Sequence, residues 1–392
     1  MNERLSGFIG ERIAANDFPS AVYLVAEKGE IVFHDALGYA VVTPEVIPAR
    51  LDTVYDLASL TKVLITGLEL ARLLDQGELQ LDDVVAEIIP GFNSADKSSI
   101  TIVDVVSHRS GLLGWLPFYL MENRPDGLEM SYPGIPDSRV PPFVIDTINR
   151  SDRLGELTVE YSDLNFILLG VVTEVLNGWP SGSSIAHSDL LGKLQLLRSF
   201  FGEEHPLRRE IAASEFGNEY EKQTCIEKGY FQPPATAGGT DMSSAFRSYQ
   251  IWGEVHDGNA YFLGGVAGHA GLFSTAEEVF KIALQFLPQH TTLLKPETCD
   301  LFRKNFTKGM NEDRSFAFQL ASTEDSTAGT KMSPESFGHN GFTGTSLWID
   351  PVKDRIFVLL TNRTHNHPLP FTNINSVRRR FHDIAIEELN AR

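Results

Sequence analysis

Cysteine is scarce. The 392 residues hold 2, Cys225 and Cys299. Neither sits in a Cys-x-x-Cys pair or a metal-ligand spacing, so a disulfide scaffold and a zinc ribbon are excluded, and both are expected to be reduced structural thiols. Long apolar runs are lacking too. The longest, Phe166 to Leu176, is interrupted by Glu174 and falls well short of the roughly 20 residues that span a bilayer as a helix. The N-terminal MNERLSGFIGERIAAND alternates charged and apolar residues. It reads as an amphipathic helix and not as a signal peptide, so the expected location is cytoplasmic. Positive charge is in deficit: 33 Lys and Arg face 52 Asp and Glu, a formal net charge of −19. Such a surface repels phosphate backbones and anionic lipid, so no nucleic acid and no membrane is expected as a partner. There is no G-x-G-x-x-G, Walker loop or H-E-x-x-H, and no cofactor or metal is expected. The absence of G-x-S-x-G leaves the α/β-hydrolase fold without support.

What is present is ordinary globular material, 42% hydrophobic and 22% charged, with length for two or three domains or one large fold with an insertion. Residues 3–16 carry apolar side chains at helical spacing, from Leu5 to Ala14. Residues 20–27 and 30–40 are β-branched and aromatic runs, and Lys28-Gly29 between them predicts a hairpin. Ser59 to Gln76 returns to helical spacing, with Gly77 where a helix C-cap belongs. The stretch 80–290 reads mainly as helices with long loops. Within it, Val84–Ile89 stops at Pro90, Val103–Ser107 is short, and Phe166–Leu176 is strongly apolar. Residues 114–142 are rich in proline and glycine, a loop suited to the wall of a site. The loops at 114–142 and 181–262 are expected to set substrate choice. Ser346–Ile349 and Ile356–Thr361 read as strands around Asp350-Pro351, and Ile374–Leu389 as a final amphipathic helix. Strands at both chain ends with helices between predict a discontinuous sheet domain, 1–79 with 291–392, and a mainly helical domain, 80–290.

The sharpest local signal for chemistry is Ser59-Leu60-Thr61-Lys62 at the start of a predicted helix. Positions i and i+3 share a helix face, so Lys62 reaches the Ser59 hydroxyl. A serine is a weak nucleophile until a neighbour takes its proton. An amine does so when its pKa is lowered by burial or a second cation. The free N–H groups of the helix start suit a developing oxyanion. About a hundred residues on comes Tyr161-Ser162-Asp163, before the apolar helix. Later comes Gly338-His339-Asn340-Gly341-Phe342-Thr343-Gly344-Thr345, just before a strand.

These segments, in this order, resemble the three motifs of the penicillin-recognising serine hydrolases: S-x-x-K, Y-x-N or S-D-N, and K-T-G. The stretches 77–83, Ser107-His108-Arg109-Ser110-Gly111-Leu112, 253–257, 264–272, 347–351 and 360–363 extend the likeness over nearly the whole chain. The family includes class C β-lactamases, D-alanyl-D-alanine peptidases, D-aminopeptidases and family VIII carboxylesterases. The resemblance implies an antiparallel β-sheet flanked by N- and C-terminal helices, an inserted all-α lobe, and a site in the cleft between them. It implies that Ser59 is the acylated nucleophile, that Lys62 accepts its proton or tunes the site, and that Tyr161 shares the base role and protonates the leaving group. The backbone N–H groups of Ser59 and Phe342 would form the oxyanion hole, each donor worth ~3 kcal/mol of barrier. Asp163, His339, Asn340 and Gly341 would meet the substrate. The expected activity is hydrolysis of small esters or amides through an acyl-enzyme. The alternatives are a peptidase acting on D-amino-acid or muropeptide substrates, and a non-catalytic binding protein on the same fold.

Two residues depart from the family pattern. His339 stands where β-lactamases usually carry lysine. A histidine titrates near 6.5 when unperturbed, so carboxylate substrates are expected to bind better as His339 gains a proton. Asp163 stands where asparagine is usual. A carboxylate cannot donate to an acylamido carbonyl, and it favours protonated Lys62, which shifts weight to Tyr161 as base. His108 and His269 read as histidines holding turns. His256-Asp257 invites a dyad reading, but adjacent side chains usually point apart, and a structural role is expected there too. His365-Asn366-His367 lacks a nearby carboxylate or cysteine to complete a metal site.

Overall fold

The protein is described by a computed structural model covering residues 1–89, 91–121, 140–155, 158–178, 188–202, 207–231 and 245–392. Pro90 and most of the loops at 114–142 and 232–244 lie outside these residues.

In chain order the elements are helix α1 (Glu3–Ala14), strands β1 (Ser20–Glu27), β2 (Glu30–Val41), β3 (Ile47–Pro48) and β4 (Tyr55–Asp56), and a π-helical turn, Lys62–Gly67, that runs into α2 (Leu68–Gln76). Then come α3 (Val85–Ile88), α4 (Ile102–Val106), α5 (Pro142–Arg150), α6 (Asp163–Leu176), α7 (Leu190–Lys193), α8 (Glu219–Glu227) and α9 (Gly258–Phe262). Strand β5 (Phe273–Ser274), helix α10 (Ala276–Ala283), strands β6 (Gln319–Leu320), β7 (Phe337–Asn340), β8 (Ser346–Asp350) and β9 (Arg355–Thr361), and helix α11 (Asn375–Asn390) complete the chain.

The main sheet has the order β3-β2-β1-β9-β8-β7-β6. Its named pairs are antiparallel. Strands from both ends of the chain therefore meet at β1 and β9, paired from Ala21 opposite Thr361 to Glu27 opposite Arg355. The period-2 rule sorts their side chains to two faces. Ala21, Tyr23, Val25, Phe357 and Leu359 pack with Leu5 and Ile9 of α1 and Phe381 and Ile384 of α11. Val22, Leu24, Val358 and Leu360 face a larger core with Val63, Leu64, Val279 and the apolar side of α6. Asn2 caps α1 through Leu5 N–H and also donates to Glu388 of α11, so the terminal helices lie side by side. This is the antiparallel sheet with terminal helices that the resemblance implied.

The predicted hairpin turns at Lys28-Gly29, both with positive φ. Gly77 closes α2 in the left-handed conformation, φ 79°. The helix expected from Ser59 to Gln76 differs in one respect: its first part is wound as a π turn whose six residues are all buried. Thr66 Oγ1 donates to Gly268 C=O (2.6 Å), and a Cβ on Gly67 would stand 3.1 Å from Ala317 Cβ. Close packing on both sides accompanies the widened turn, a device that recurs at functional sites. None of the described helices is long and apolar enough to cross a membrane. Cys225 and Cys299 are both free and buried.

Candidate active site

The site is assembled where three chain segments are hydrogen-bonded to one another. Leu57 N–H donates to Leu272 C=O (2.9 Å). Thr343 Oγ1 donates to Asp56 C=O (2.7 Å) and Thr345 Oγ1 to Leu57 C=O (3.0 Å). The buried Asp56 carboxylate accepts from Ala58 N–H (2.8 Å) and His256 N–H (2.7 Å). Burial pushes the Asp56 pKa up against those bonds. Ala58 has φ 47°, a left-handed conformation that costs of order 1–3 kcal/mol in a non-glycine residue. The bond to Asp56 holds it there, one residue before Ser59. Gly341 is required by close approach: a Cβ would lie 2.5 Å from Leu57 C=O and collide with Thr345 Oγ1.

Lys62 is fully buried. Its Nζ lies 2.8 Å from Ser59 Oγ, 3.0 Å from His269 C=O and 2.7 Å from Asp163 Oδ1. An ammonium has three N–H donors, and each has an oxygen within reach. Burial works to lower the Lys62 pKa, but Asp163 and Tyr161 outweigh it and hold it above the ordinary value. Burial raises the Tyr161 pKa, against the pull of Lys62. The resting site therefore pairs a lysine ammonium with an aspartate carboxylate beside a neutral phenol. The Tyr161 ring centroid is 5.2 Å from Lys62 Nζ. Its hydroxyl is close enough to Lys62 and Ser59 to feel both, yet makes no well-directed hydrogen bond among the described residues.

The second motif is held by the segment around His108. Ser162 caps α6 by accepting from Asn165 N–H and donates to Leu113 C=O (2.6 Å). His108 Nδ1 accepts from Ser162 N–H (3.1 Å), and its ring packs on Tyr161 at 4.7 Å. Burial drives the His108 pKa well below 6.5, so a neutral imidazole orients Tyr161-Ser162-Asp163, in the turn-holding role read from the sequence. The His269 ring pairs with Asp257 (3.0 Å) while its carbonyl meets Lys62. His256 and Asp257 do turn apart, His256 to Glu215 (2.8 Å) and Asp257 to His269. Glu215, a partner far along the chain, had no local signal. His365 uses both ring nitrogens on backbone, accepting from Val42 N–H and donating to Ser214 C=O.

The third motif lines the same cavity, about 740 Å³ in volume, together with Ser59, Tyr161 and Asp163. His339 is buried and donates through Nδ1 to Asn340 C=O (2.9 Å). Burial first, then the charges of Arg314 and Lys62, hold its pKa well below 6.5. Both effects disfavour the imidazolium, so the proton that the sequence reading tied to carboxylate binding is taken up at lower pH than by an unperturbed histidine. The Asn340 carboxamide is hydrogen-bonded to the Thr327 hydroxyl (3.0 Å). The Phe342 ring packs at a tilt on Tyr220 (4.7 Å) and stacks on His256 (5.4 Å). The backbone N–H groups of Ser59 and Phe342 donate to no other group among the described residues. Arg314, Arg363 and Arg378 also line the cavity. Arg363 ends the 360–363 stretch included in the resemblance, whereas Arg314 and Arg378 belong to no such stretch and only their position in space reveals them.

Comparison with known proteins follows this geometry. The family model described as Beta-lactamase matches residues 5–378. N-acetylmuramyl-L-alanine amidase of Bacillus subtilis (strain 168) is 30% identical over 377 residues, covering 91% of this chain and 79% of its own. An Escherichia coli (strain K12) protein provisionally named D-alanyl-D-alanine carboxypeptidase is 29% identical over 378 residues, covering 89% and 79%. Among solved structures, EstCE1, a hydrolase with promiscuous acyltransferase activity, superposes with TM-score 0.69 at 21% identity, covering 97% of each chain. A class C beta lactamase from Rhodobacter sphaeroides superposes with TM-score 0.63 at 17% identity, covering 99% of each.

Proposed function

Because the chain belongs to the beta-lactamase family, a family of serine hydrolases working through an acyl-enzyme, we propose that Ser59 is the residue acylated and that small esters and amides are its substrates. One observation carries this reading: the Ser59 hydroxyl lies 2.8 Å from the amine of a fully buried lysine, at a cavity large enough for a small ligand. The cleft then lies between a sheet unit, residues 1–79 with 291–392, and a mainly helical unit, residues 80–290. Ser59 and His339 come from the first, Tyr161 and Asp163 from the second.

In this reading Ser59 Oγ attacks the substrate carbonyl carbon, and the carbonyl oxygen takes up negative charge facing the N–H groups of Ser59 and Phe342. The serine proton passes to Lys62 as Lys62 passes one of its own to Asp163 Oδ1, 2.7 Å away. Lys62 stays an ammonium and Asp163 becomes neutral, so charge separation in the buried site is never increased. When the tetrahedral intermediate collapses, that proton returns through Lys62 to Tyr161, whose own hydroxyl proton goes to the leaving oxygen or nitrogen. Water then repeats the sequence on the acyl-enzyme. Gly341 and the neutral His339 shape the wall beside Tyr161.

The relatives' names favour a second reading within the same chemistry, an amide of a D-amino acid or muropeptide. The aromatic wall of Trp115, Tyr220, Tyr230 and Phe342 suits a sugar or peptide face. Intact-mass spectrometry after exposure to a fluorophosphonate and to a penicillin tests the acyl-enzyme. The expected result is one adduct, lost in Ser59→Ala. If neither reagent labels the parent, Ser59 is not a nucleophile and the fold serves binding alone.

A further inference from the structure

The oxygens around the Lys62 amine are not equivalent. Ser59 Oγ gives up a proton in the proposed reaction, and Asp163 Oδ1 receives one. The remaining oxygen, His269 C=O at 3.0 Å, does not titrate. It is the fixed partner that sets the direction of Nζ. The backbone that carries it is poorly suited to hold still. Residues 264–271 include Gly264, Gly265, Gly268 and Gly271, and glycine has the most conformational freedom to lose. At Gly268 the bareness has a cause, since a Cβ there would strike Phe166 C=O of α6. A segment that must stay bare to pass α6 gains little hold from side-chain packing. Thr66 Oγ1 holds the Gly268 carbonyl (2.6 Å), and the His269 ring supplies a second anchor. That ring is fully buried, and its Nε2 lies 3.0 Å from Asp257 Oδ1.

Asp257 is itself held in place. It is the N-cap of α9, and the same Oδ1 accepts from Ala260 N–H (2.7 Å). Burial works to raise its pKa, but His269, the Ala260 N–H and the Lys62 charge outweigh it and hold it below the usual carboxylate range. An ionised carboxylate only accepts, so the proton of the shared bond sits on His269 Nε2. The preceding residue is tied down as well. His256 N–H donates to Asp56 Oδ2 (2.7 Å), and Asp56 Oδ1 accepts from Ala58 N–H beside Ser59. Adjacent residues thus brace the two sides of the reacting pair, His256 the turn that carries Ser59 and Asp257 the amine of Lys62. We propose that Asp257 is a positioning residue that, through the His269 imidazole, fixes the carbonyl aiming Lys62 at Ser59. Its consequence for turnover rests on the assignment of Ser59 above.

The test reads Lys62 directly and then its chemistry. Asp257→Ser keeps a cap for α9 but is a bond too short to reach His269. Asp257→Asn removes the charge and keeps an oxygen that accepts from His269 and Ala260. The nitrogen NMR resonance of the Lys62 ammonium, assigned with Lys62→Arg, is expected to move in Asp257→Ser and in His269→Ala and to return toward the parent position in Asp257→Asn. Turnover of 4-nitrophenyl acetate is measured at pH 8.5, above the titration of Glu221, which burial pushes up to about 7. There kcat is expected to fall at least tenfold in Asp257→Ser and in His269→Ala with KM within threefold, and Asp257→Asn to recover most of it. The double variant Asp257→Ser/His269→Ala is expected to lose no more than either single one, because the residues act in series. A resonance unmoved in Asp257→Ser, or moved as far in Asp257→Asn, overturns the proposal. So do losses that multiply in the double variant, or a change in KM alone, which would make Asp257 a substrate contact. Should Asp257→Ser fail to fold, His269→Ala decides by the same readouts. If the parent neither hydrolyses the ester nor takes up a fluorophosphonate, the Ser59 reading fails, and the Lys62 resonance still decides whether Asp257 positions the amine.

Discussion

At the scale of single residues, the site is governed by which groups can hold a charge out of water. His339 cannot: burial and two neighbouring cations disfavour its imidazolium, so its pKa lies well below 6.5. The KM for a carboxylate-bearing ester is therefore expected to follow the same course from pH 5.5 to 8 in the parent and in His339→Gln, any common step belonging to Glu221, which burial pushes up to about 7 at the same cavity. Initial-rate measurements on both proteins check this, and a step present in the parent and absent from His339→Gln would restore the pH-switched histidine. Asp163 Oδ1 stands 2.7 Å from Lys62 Nζ. Asp163→Asn removes the terminal proton acceptor of the proposed relay. General-base steps contribute 10²–10⁴-fold, so kcat/KM for a simple ester is expected to drop about 10²-fold. The introduced amide donates where the carboxylate could not, so the ratio of acylamido β-lactam to ester turnover is expected to rise. Ester rates within threefold of the parent would remove Asp163 from the proton path.

At the scale of elements, the catalytic geometry depends on turns that only particular residues can make. Between β7 and β8 the chain passes so close to Leu57 and Thr345 that Gly341 tolerates no Cβ. Gly341→Ala must push the 341–345 turn away from the 56–59 segment, at a cost in the 1–3 kcal/mol range of overpacking changes. The larger effect is expected on chemistry, because Phe342 N–H moves with the turn. A drop in kcat of at least tenfold, with the mid-point of urea denaturation shifted only modestly, is the expected pattern. Unchanged kcat would separate the Phe342 amide from the oxyanion. The π turn at Lys62–Gly67 belongs to the same scale. Ser-x-x-Lys spacing alone predicts a shared helix face, and the face survives because residues 59–62 form a regular turn, with Lys62 N–H bonded to Ser59 C=O (3.1 Å). The widening comes afterwards, where Gly67 abuts Ala317.

At the scale of the molecule, the sheet that carries the third motif is closed by helices from opposite ends of the chain. Phe381 of α11 packs with the Tyr23 ring at 5.8 Å and is fully buried. Phe381→Ala is expected to cost about 3–5 kcal/mol of stability. Below the unfolding transition kcat should be nearly unchanged, since Phe381 lies on the sheet face away from the Ser59 cavity. Equilibrium urea unfolding alongside esterase assays checks both parts, and a large loss of kcat in the folded variant would mean that packing at Phe381 positions Arg378, the α11 residue that lines the cavity.

The amino-acid order by itself determined the elements whose signal is local: the alternating faces of β1 and β9, the apolar helix α6, the αL glycine after α2, and the three motifs read as Ser59, Lys62, Tyr161 and the 339–342 segment. Each depends on neighbours a few residues away, within reach of periodicity and turn chemistry. Tertiary structure alone decided the charge states and partners. Lys62 is an ammonium because Asp163, a hundred residues on, neutralises it. His339 is neutral because burial and Arg314 make it so. His256 answers to Glu215, and Arg314 faces the cavity from a segment with no motif. Charge in a protein interior is set by distance and desolvation, and neither quantity is written in the spacing of residues along a chain.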